Sequence, residues 1–182
     1  MSSIKSVAVF CGASMGNDPT LGKAAYDLGV ALGKNGLRLV YGGGHTGLMG
    51  QIADGVLDAG GQVLGVMPHA LVEKEVAHKG LTELVVVNTM HERKAMMAEH
   101  ADLFVALPGG IGTLEEIFEA WTWSYLDYHN KPVFFLNVNG FYDTLLRFND
   151  ELVDTGFLKE SSKSLVTAVD SIEALLHAIE AS

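Results

Sequence analysis

Seven short apolar runs alternate with longer segments of helical period along this chain, and this alternation constrains its fold more than any other feature. The apolar runs are continuous, as expected of strands that helices cover on both faces of a sheet. Strand–helix alternation predicts a parallel, doubly wound α/β sheet in three layers, α/β/α. The predicted strands are Val7–Cys11, Leu37–Tyr41, Gln62–Met67, Leu84–Val87, Leu103–Leu107, Pro132–Leu136 and Leu165–Ala168. The predicted helices are Thr20–Lys34, Leu48–Ala59, Met90–His100, Leu114–Tyr125, Phe141–Asp154 and Ser171–Glu180.

Length and composition limit the domain count and the class of partner. A chain of 182 residues without repeats or low-complexity stretches is expected to form a single domain over residues 1–182. With 48% hydrophobic and 19% charged residues it can bury a full core, which excludes a disordered chain. The 12 Lys and Arg residues against 22 Asp and Glu give a net charge of −10. This charge argues against a nucleic-acid partner or a membrane surface, because both require clustered cations.

The cysteine count and the amino terminus bear on the cellular compartment. Cys11 is the single cysteine, so no internal disulfide can form, which suits a reducing cytoplasm. The first residues carry no hydrophobic signal region, and the longest apolar runs, such as Leu103–Pro108, are far shorter than the ~18 residues that span a bilayer. We therefore expect a cytoplasmic protein with no membrane partner.

Two glycine-rich motifs follow the first two predicted strands. Gly12–Gly16 matches G-x-S-x-G, the nucleophile elbow of serine hydrolases, but residues 17–19 separate Ser14 from the next helix and favour a simple glycine loop. Gly42–Gly47 matches G-x-G-x-x-G and opens a helix, which indicates nucleotide contact or close backbone approach. No acidic residue stands near Gly65–Pro68 to hold a ribose hydroxyl, so a standard NAD site is excluded.

The sharpest motif is Pro108–Glu116, which leaves a predicted strand and enters a helix. Glycines expose main-chain N–H groups to an anion, and the helix N-terminus adds partial positive charge. No lysine follows the last glycine, so this is not a Walker loop. Thr113 is predicted to cap the helix, with Glu115 and Glu116 in its first turn. Glu119 adds a third carboxylate beside this loop. One carboxylate is enough to complement the helix dipole, so three indicate a chemical role.

A local cationic spot precedes that loop. Arg93 and Lys94 begin the helix before it, at the same rim of the sheet, in a chain with three arginines in all. The histidines form no H-E-x-x-H or Cys/His cluster, so we expect no catalytic metal. Trp121, Trp123 and Tyr125 recur at helical spacing and are expected in the core or on a dimer surface.

With these motifs together, the chain resembles the LOG ("lonely guy") family, cytokinin riboside 5′-monophosphate phosphoribohydrolases long labelled possible lysine decarboxylases. The resemblance rests on Pro108–Glu116, on Tyr41–Gly44 with Gly47–Gly50, and on Met90–Lys94, and it covers nearly the whole chain. It implies a Rossmann-like fold, usually a homodimer. It also implies hydrolysis of the N-glycosidic bond of adenine-type nucleoside 5′-monophosphates, which releases the free base and ribose 5-phosphate.

The resemblance further implies the residues of the site. Its catalytic pair corresponds to Arg93 and Glu116. Its nucleotide-contacting positions correspond to Glu75, Arg93, Lys94, Gly110, Ile111, Gly112, Thr113, Leu114, Glu115, Glu116 and Thr122. No cofactor is expected, and the decarboxylase label has no support in the sequence because nothing marks a pyridoxal-binding lysine.

The sequence departs from the family pattern at two places, and two other functions also remain open. His45 stands where a small polar residue is usual in the family, and the Trp121–Tyr125 segment is unusually aromatic, so the preferred base is open. A non-catalytic nucleotide or cofactor carrier could use the same glycine loops. A serine hydrolase would use Ser14 instead.

Overall fold

The computed structural model describes residues 4–74 and 77–182, and within them seven parallel strands form one sheet. Each strand is buried by helices on its two faces or lies at a sheet edge, which confirms the predicted doubly wound α/β architecture. The observed bounds of each strand differ from the predicted ones by one residue at one or both ends. The strands are β1 (Ser6–Phe10), β2 (Arg38–Tyr41), β3 (Val63–Pro68), β4 (Glu83–Val87), β5 (Leu103–Ala106), β6 (Val133–Leu136) and β7 (Val166–Val169).

Helices fill the layers on both sides of the sheet. They are α1 (Thr20–Lys34), α2 (Gly47–Asp58), α3 (His69–Val72), α4 (Met90–His100), α5 (Ile111–Tyr125), α6 (Asp143–Asp154), α7 (Glu160–Lys163) and α8 (Ile172–Glu180). One apolar core joins the sheet to α1, α2 and α8, and a second joins the opposite face to α4, α5 and α6. No helix in the described part of the chain is long and apolar enough to cross a membrane.

Some predicted helix starts are wrong. α5 begins at Ile111 rather than Leu114, so Thr113 lies inside its first turn and Gly110 is the N-cap. Glu115 and Glu116 consequently belong to the second turn. The helix predicted from Phe141 begins at Asp143, because a 3₁₀ turn at Val138–Gly140 precedes it. The four-residue helices α3 and α7 were not predicted, since four residues show no helical period.

The strand order determines where a ligand can bind. The order is β4-β3-β2-β1-β5-β6-β7, so the chain builds outward from β1 to β4 and then returns to place β5 beside β1. Val7 to Phe10 pair with Leu103 to Ala106 at this junction. In open α/β sheets, ligands bind outside the carboxyl ends of the strands at such a switch point. The loops after β1 and β5 are therefore the expected walls of a site.

Candidate functional site

A cavity of about 700 Å³ opens at the carboxyl ends of β1 and β5. This volume lies within the range of ordinary small-molecule sites. Its walls come from the loops after β1 and β5, the starts of α2, α4 and α5, and apolar side chains at the rim. The lining residues are Cys11, Gly12, Ala13, Ser14, Met15, Gly16, Leu21, Leu48, Met49, Leu71, Met90, Arg93, Pro108, Gly109, Gly110, Gly112, Thr113, Glu116 and Phe141.

Arg93 is buried in the wall of this cavity, with 6% of its surface exposed. Its Nε donates to the carbonyl oxygen of Val66 at 2.9 Å, and its Nη2 donates to the carbonyl oxygen of Gly42 at 2.7 Å. Its Nη1 lies 3.9 Å from the sulfur of Met90, a weak acceptor. The helix that carries Arg93 is fixed at its start by a capping box between Thr89 and Glu92. The guanidinium is therefore held in place before any ligand arrives.

The glycine loop after β2 holds Arg93 rather than an anion. The carbonyl oxygen of Gly42 accepts a hydrogen bond from Arg93 Nη2. That of Gly43 accepts one from the His78 N–H at 3.0 Å, and that of Gly44 accepts one from the Tyr41 hydroxyl at 2.9 Å. A Cβ at Gly42 would overlap Arg93 Nη2. These contacts support the interpretation of this motif as a close backbone approach.

The N-terminus of α2, which follows that loop, is already occupied. The N–H groups of Leu48 and Met49 donate to the carbonyl oxygen of Gly12 at 3.0 and 3.3 Å. Gly47 has φ +59°, and a Cβ there would overlap the main chain of Ala13. The G-x-G-x-x-G glycines thus join the loop after β1 to the start of α2.

The N-terminus of α5, in contrast, opens into the cavity. Its first internal hydrogen bond runs from the Leu114 N–H to the Gly110 carbonyl at 3.1 Å, which leaves the three preceding N–H groups without an intrahelical acceptor. The first turn has no acidic residue and no side-chain cap. The prediction that Thr113 caps α5 is therefore wrong: its side chain is buried and packs against Gly109. An anion fits the partial positive charge at this helix end.

The three glutamates of α5 separate into two groups. Glu116 is half-buried and lines the cavity. Glu115 and Glu119 instead accept hydrogen bonds from the Lys94 ammonium, the latter at 2.9 Å. Burial lowers the pKa of Lys94, but the hydrogen bonds to the two carboxylates outweigh it and the pKa is raised overall. Lys94 therefore stays charged and connects α4 to α5.

Cys11 lies beside Glu116 in the cavity wall. Burial, and to a smaller extent the charge of Glu116, raise the pKa of the Cys11 thiol far above its usual value. A protonated thiol is a poor nucleophile. Cys11 is thus a packing residue, and Glu116 is the carboxylate that lines the cavity among residues 4–74 and 77–182.

The structure brings some of the expected site residues together and places others elsewhere. Arg93, Gly110, Gly112, Thr113 and Glu116 line one cavity. Lys94, Ile111, Leu114, Glu115 and Thr122 are not among its described lining residues, and Glu75 lies outside the residues that the structure describes. The apolar rim of the cavity is not predictable from the sequence because its members come from separate elements and share no motif: Met15, Leu21, Leu71, Met90 and Phe141.

The geometry weighs against three other kinds of site. α1 begins at Thr20, so Ser14 does not occupy the sharp strand-to-helix turn that a nucleophile elbow requires. None of the described residues that line the cavity is a lysine, so they do not fit a pyridoxal phosphate held as a Schiff base. Among residues 4–74 and 77–182, no group of three or more His, Cys, Asp or Glu side chains could hold a metal ion.

Known proteins match this chain in sequence over almost its full length. A cytokinin riboside 5′-monophosphate phosphoribohydrolase of Rhodococcoides fascians is 49% identical over 176 residues, which cover 96% of this chain and 89% of the relative. The corresponding enzyme LOG2 of Arabidopsis thaliana is 45% identical over 98% of this chain and 84% of its own length. The family model described as possible lysine decarboxylase matches residues 49–179.

Solved structures show the same fold. The structure of TM1055 superposes with a TM-score of 0.75 at 26% identity and covers 98% of this chain and 100% of its own. The Moco carrier protein of Chlamydomonas reinhardtii superposes with a TM-score of 0.74, covering 97% of this chain and 96% of its own, but at 22% identity it shows the fold alone. The near-full-length relatives and the family model establish that this chain belongs to the LOG family.

Proposed function

We propose that this enzyme hydrolyses the N-glycosidic bond of nucleoside 5′-monophosphates with an adenine-type base, cytokinin nucleotides included. The products are the free base and ribose 5-phosphate. The relatives named as phosphoribohydrolases support this reaction. The observation that carries the proposal is that Arg93 and Glu116 line the same cavity as the open N-terminus of α5.

The 5′-phosphate would bind at the N-terminus of α5. The main-chain N–H groups of Ile111, Gly112 and Thr113 precede the first intrahelical hydrogen bond, and the helix dipole favours a negative charge there. A phosphate held in this way needs no cluster of lysines. The net charge of −10 is therefore compatible with one bound phosphate, although it disfavours long polyanions.

Breaking the bond between ribose C1′ and the base nitrogen leaves an oxocarbenium-like sugar, as in glycosidases. The bonding electrons go to the base nitrogen. The Glu116 carboxylate would stabilise the cationic sugar and accept a proton from the water that attacks C1′. Arg93 would donate a hydrogen bond to the nucleotide, and at the base it would stabilise the negative charge that develops on departure. Hydrolysis is completed when the base nitrogen takes up a proton, in net terms the one that Glu116 removed from the water, and the carboxylate is regenerated.

The other positions that the resemblance implies are proposed as substrate-binding residues: Glu75, Lys94, Ile111, Leu114, Glu115 and Thr122. Most of them share α4 or α5 with Arg93 and Glu116. Lys94 would act through its ion pairs, which hold α5 against α4 and so set the distance between the two catalytic residues.

Two copies of the chain would associate, and the whole chain would work as one domain in the cytoplasm. Tyr125, Leu126 and Tyr128 form an exposed apolar patch at the end of α5, here called the α5 patch. Exposed apolar patches of this kind mark association surfaces. The single cysteine can form no internal disulfide, which suits a reducing compartment.

Chromatography of products tests this function. The enzyme is incubated with AMP and, separately, with isopentenyladenosine monophosphate, and free base and ribose 5-phosphate are quantified. We expect both products in equal amounts, and we expect Glu116→Gln to lower kcat by about 10² to 10⁴. A carrier would bind the nucleotide and release no base, and a Glu116→Gln variant with full activity would contradict the assignment of Glu116.

A further inference from the structure

A short segment after α3 packs against the glycine loop that holds Arg93. Ala77 forms an antiparallel bridge with Gly44, and the N–H of His78 donates to the carbonyl oxygen of Gly43 at 3.0 Å. The preceding carbonyl, that of Gly42, accepts the Arg93 Nη2. Two adjacent carbonyl oxygens therefore make the two contacts: that of Gly43 binds this segment and that of Gly42 binds the Arg93 guanidinium.

The side chain of His78 fixes this segment to helix α2. Its Nε2 lies 2.8 Å from Asp54 Oδ1, and its Nδ1 accepts a hydrogen bond from the Gly80 N–H at 3.0 Å. Because Nδ1 accepts, the ring proton of the neutral imidazole is on Nε2, which donates to Asp54. The imidazole is largely buried, whereas the Asp54 carboxylate is half exposed. Neither residue lines the described cavity wall.

We propose that His78 and Asp54 are positioning residues for Arg93. Their hydrogen bond holds the 77–80 segment against the glycine loop, and the loop in turn presents the Gly42 carbonyl to the guanidinium. This inference rests on the proposed function, because it assigns Arg93 a role in that reaction. Both residues lie outside the sequence motifs and outside the described cavity wall.

A small displacement of the glycine loop is enough to release the Arg93 guanidinium. The bond from Arg93 Nη2 to the Gly42 oxygen is 2.7 Å long, so a shift of about 1 Å in the loop would break it. A displacement of that size at a catalytic group, caused by a change away from the chemistry, can cost about 100-fold in rate. Loss of the His78–Asp54 bond is therefore expected to act on catalysis through Arg93.

The position of Arg93 can be measured without any activity. The chain has three arginines, so a ¹H–¹⁵N spectrum of side-chain Nε–H groups contains at most three signals, and Arg93→Lys assigns one of them. In Asp54→Ala and His78→Ala we expect the Arg93 signal to shift and its proton to exchange faster with water. The signals of Arg38 and Arg147 should stay unchanged, which a general loss of structure would not allow.

Activity gives the second readout, with a control on the same helix. Asp58 lies one turn after Asp54 and accepts a hydrogen bond from Tyr26 at 2.8 Å, away from the glycine loop. We expect Asp54→Ala and His78→Ala to lower kcat/KM for AMP by about 10- to 100-fold, and Asp58→Ala to leave it unchanged. The double variant should lose no more than His78→Ala alone, because Asp54→Ala removes only a bond that His78→Ala already removes.

The outcomes separate this inference from the proposed function. An unchanged Arg93 signal in both variants overturns the positioning role, whatever the activity. The positioning role is also overturned if the fall in kcat/KM of the double variant equals the product of the two single falls. If His78→Ala does not fold, the half-exposed Asp54→Ala decides alone. If the wild-type protein releases no base while the Arg93 signal moves in the variants, the positioning of Arg93 stands and the proposed reaction fails.

Discussion

Arg93 carries a permanent positive charge in a buried position and uses two of its donors on main-chain carbonyl oxygens, those of Val66 and Gly42. Such burial is tolerated because these hydrogen bonds replace water. Within the described part of the chain, its remaining hydrogen-bond partner is the weak sulfur acceptor of Met90. Nη1 can therefore turn to a substrate atom without breaking a strong bond.

Gly42 is the residue whose substitution displaces this guanidinium most directly. In Gly42→Ala the new Cβ would overlap Arg93 Nη2, so the side chain must move and lose its bond to the Gly42 carbonyl. We expect kcat/KM for AMP to fall about 100-fold. We also expect the free energy of unfolding to fall by about 1–3 kcal/mol, measured by urea denaturation.

A double-mutant cycle with Arg93→Ala is the control for that prediction. If Gly42→Ala acts by moving Arg93, the double variant is as slow as Arg93→Ala alone. Losses that multiply would show that Gly42 affects the reaction by another route.

At the scale of elements, the sequence predicted most helices and strands because their signals are long and local. The bounds of α1 and α4 agree with the prediction, since α1 has a clear apolar period and α4 starts at the capping box of Thr89 and Glu92. α5 was predicted three residues short because its first turn contains Gly112, which is typical of a loop. The error matters chemically, since it moves the open helix N-terminus from Thr113 to Gly110.

The candidate site was predictable only where side chains form a motif. Arg93, Glu116 and the glycines of the Pro108–Glu116 loop belong to such motifs, and they line one cavity. Of the two main-chain carbonyls that hold Arg93, that of Gly42 belongs to the predicted glycine motif, whereas that of Val66 leaves no trace in the sequence. His78 and Asp54 were also missed, because the folded chain brings together residues 24 positions apart.

Lys94 is predicted to hold α4 and α5 together. Lys94→Ala would leave the carboxylates of Glu115 and Glu119 close to each other with no cation between them. We expect the free energy of unfolding in urea to fall by about 1–2 kcal/mol, more than for an exposed surface pair. Lys23→Ala is the matched control, because Lys23 pairs with Asp27 on the exposed face of α1. We expect the free energy of unfolding of this variant to fall by less than about 0.5 kcal/mol. Equal losses in the two variants would contradict the role of Lys94.

At the scale of the whole molecule, the proposed homodimer predicts a concentration-independent mass of two chains in light scattering. Leu126→Asp places a charge in the α5 patch and should shift the protein to one chain. Phe157→Asp is the control, because Phe157 is an exposed apolar side chain outside the patch and should leave the mass unchanged. A wild-type protein with the mass of one chain would contradict the dimer. A Leu126→Asp variant that keeps the mass of two chains would contradict the α5 patch as the association surface.

The stability of the molecule is expected to fall in mild acid. Burial, followed by the charge of Lys131, lowers the pKa of His129. The folded state therefore binds this proton less readily than the unfolded chain, and stability is lost as the pH falls below about 6.5, the usual value for histidine. Urea denaturation at several pH values between 7.5 and 5.5 should show this decline. His129→Gln should reduce the slope, and an unchanged slope would contradict the role of His129.

The fate of the water oxygen tests the central claim most directly. The enzyme is incubated with AMP in H₂¹⁸O for short times, with ribose 5-phosphate alone as a blank for exchange of its C1 oxygen. Hydrolysis of the N-glycosidic bond predicts ¹⁸O at C1 of ribose 5-phosphate, free adenine, and no labelled inorganic phosphate. Labelled inorganic phosphate would show attack at phosphorus, and bound AMP with no product would show a carrier; either result would contradict the proposed reaction.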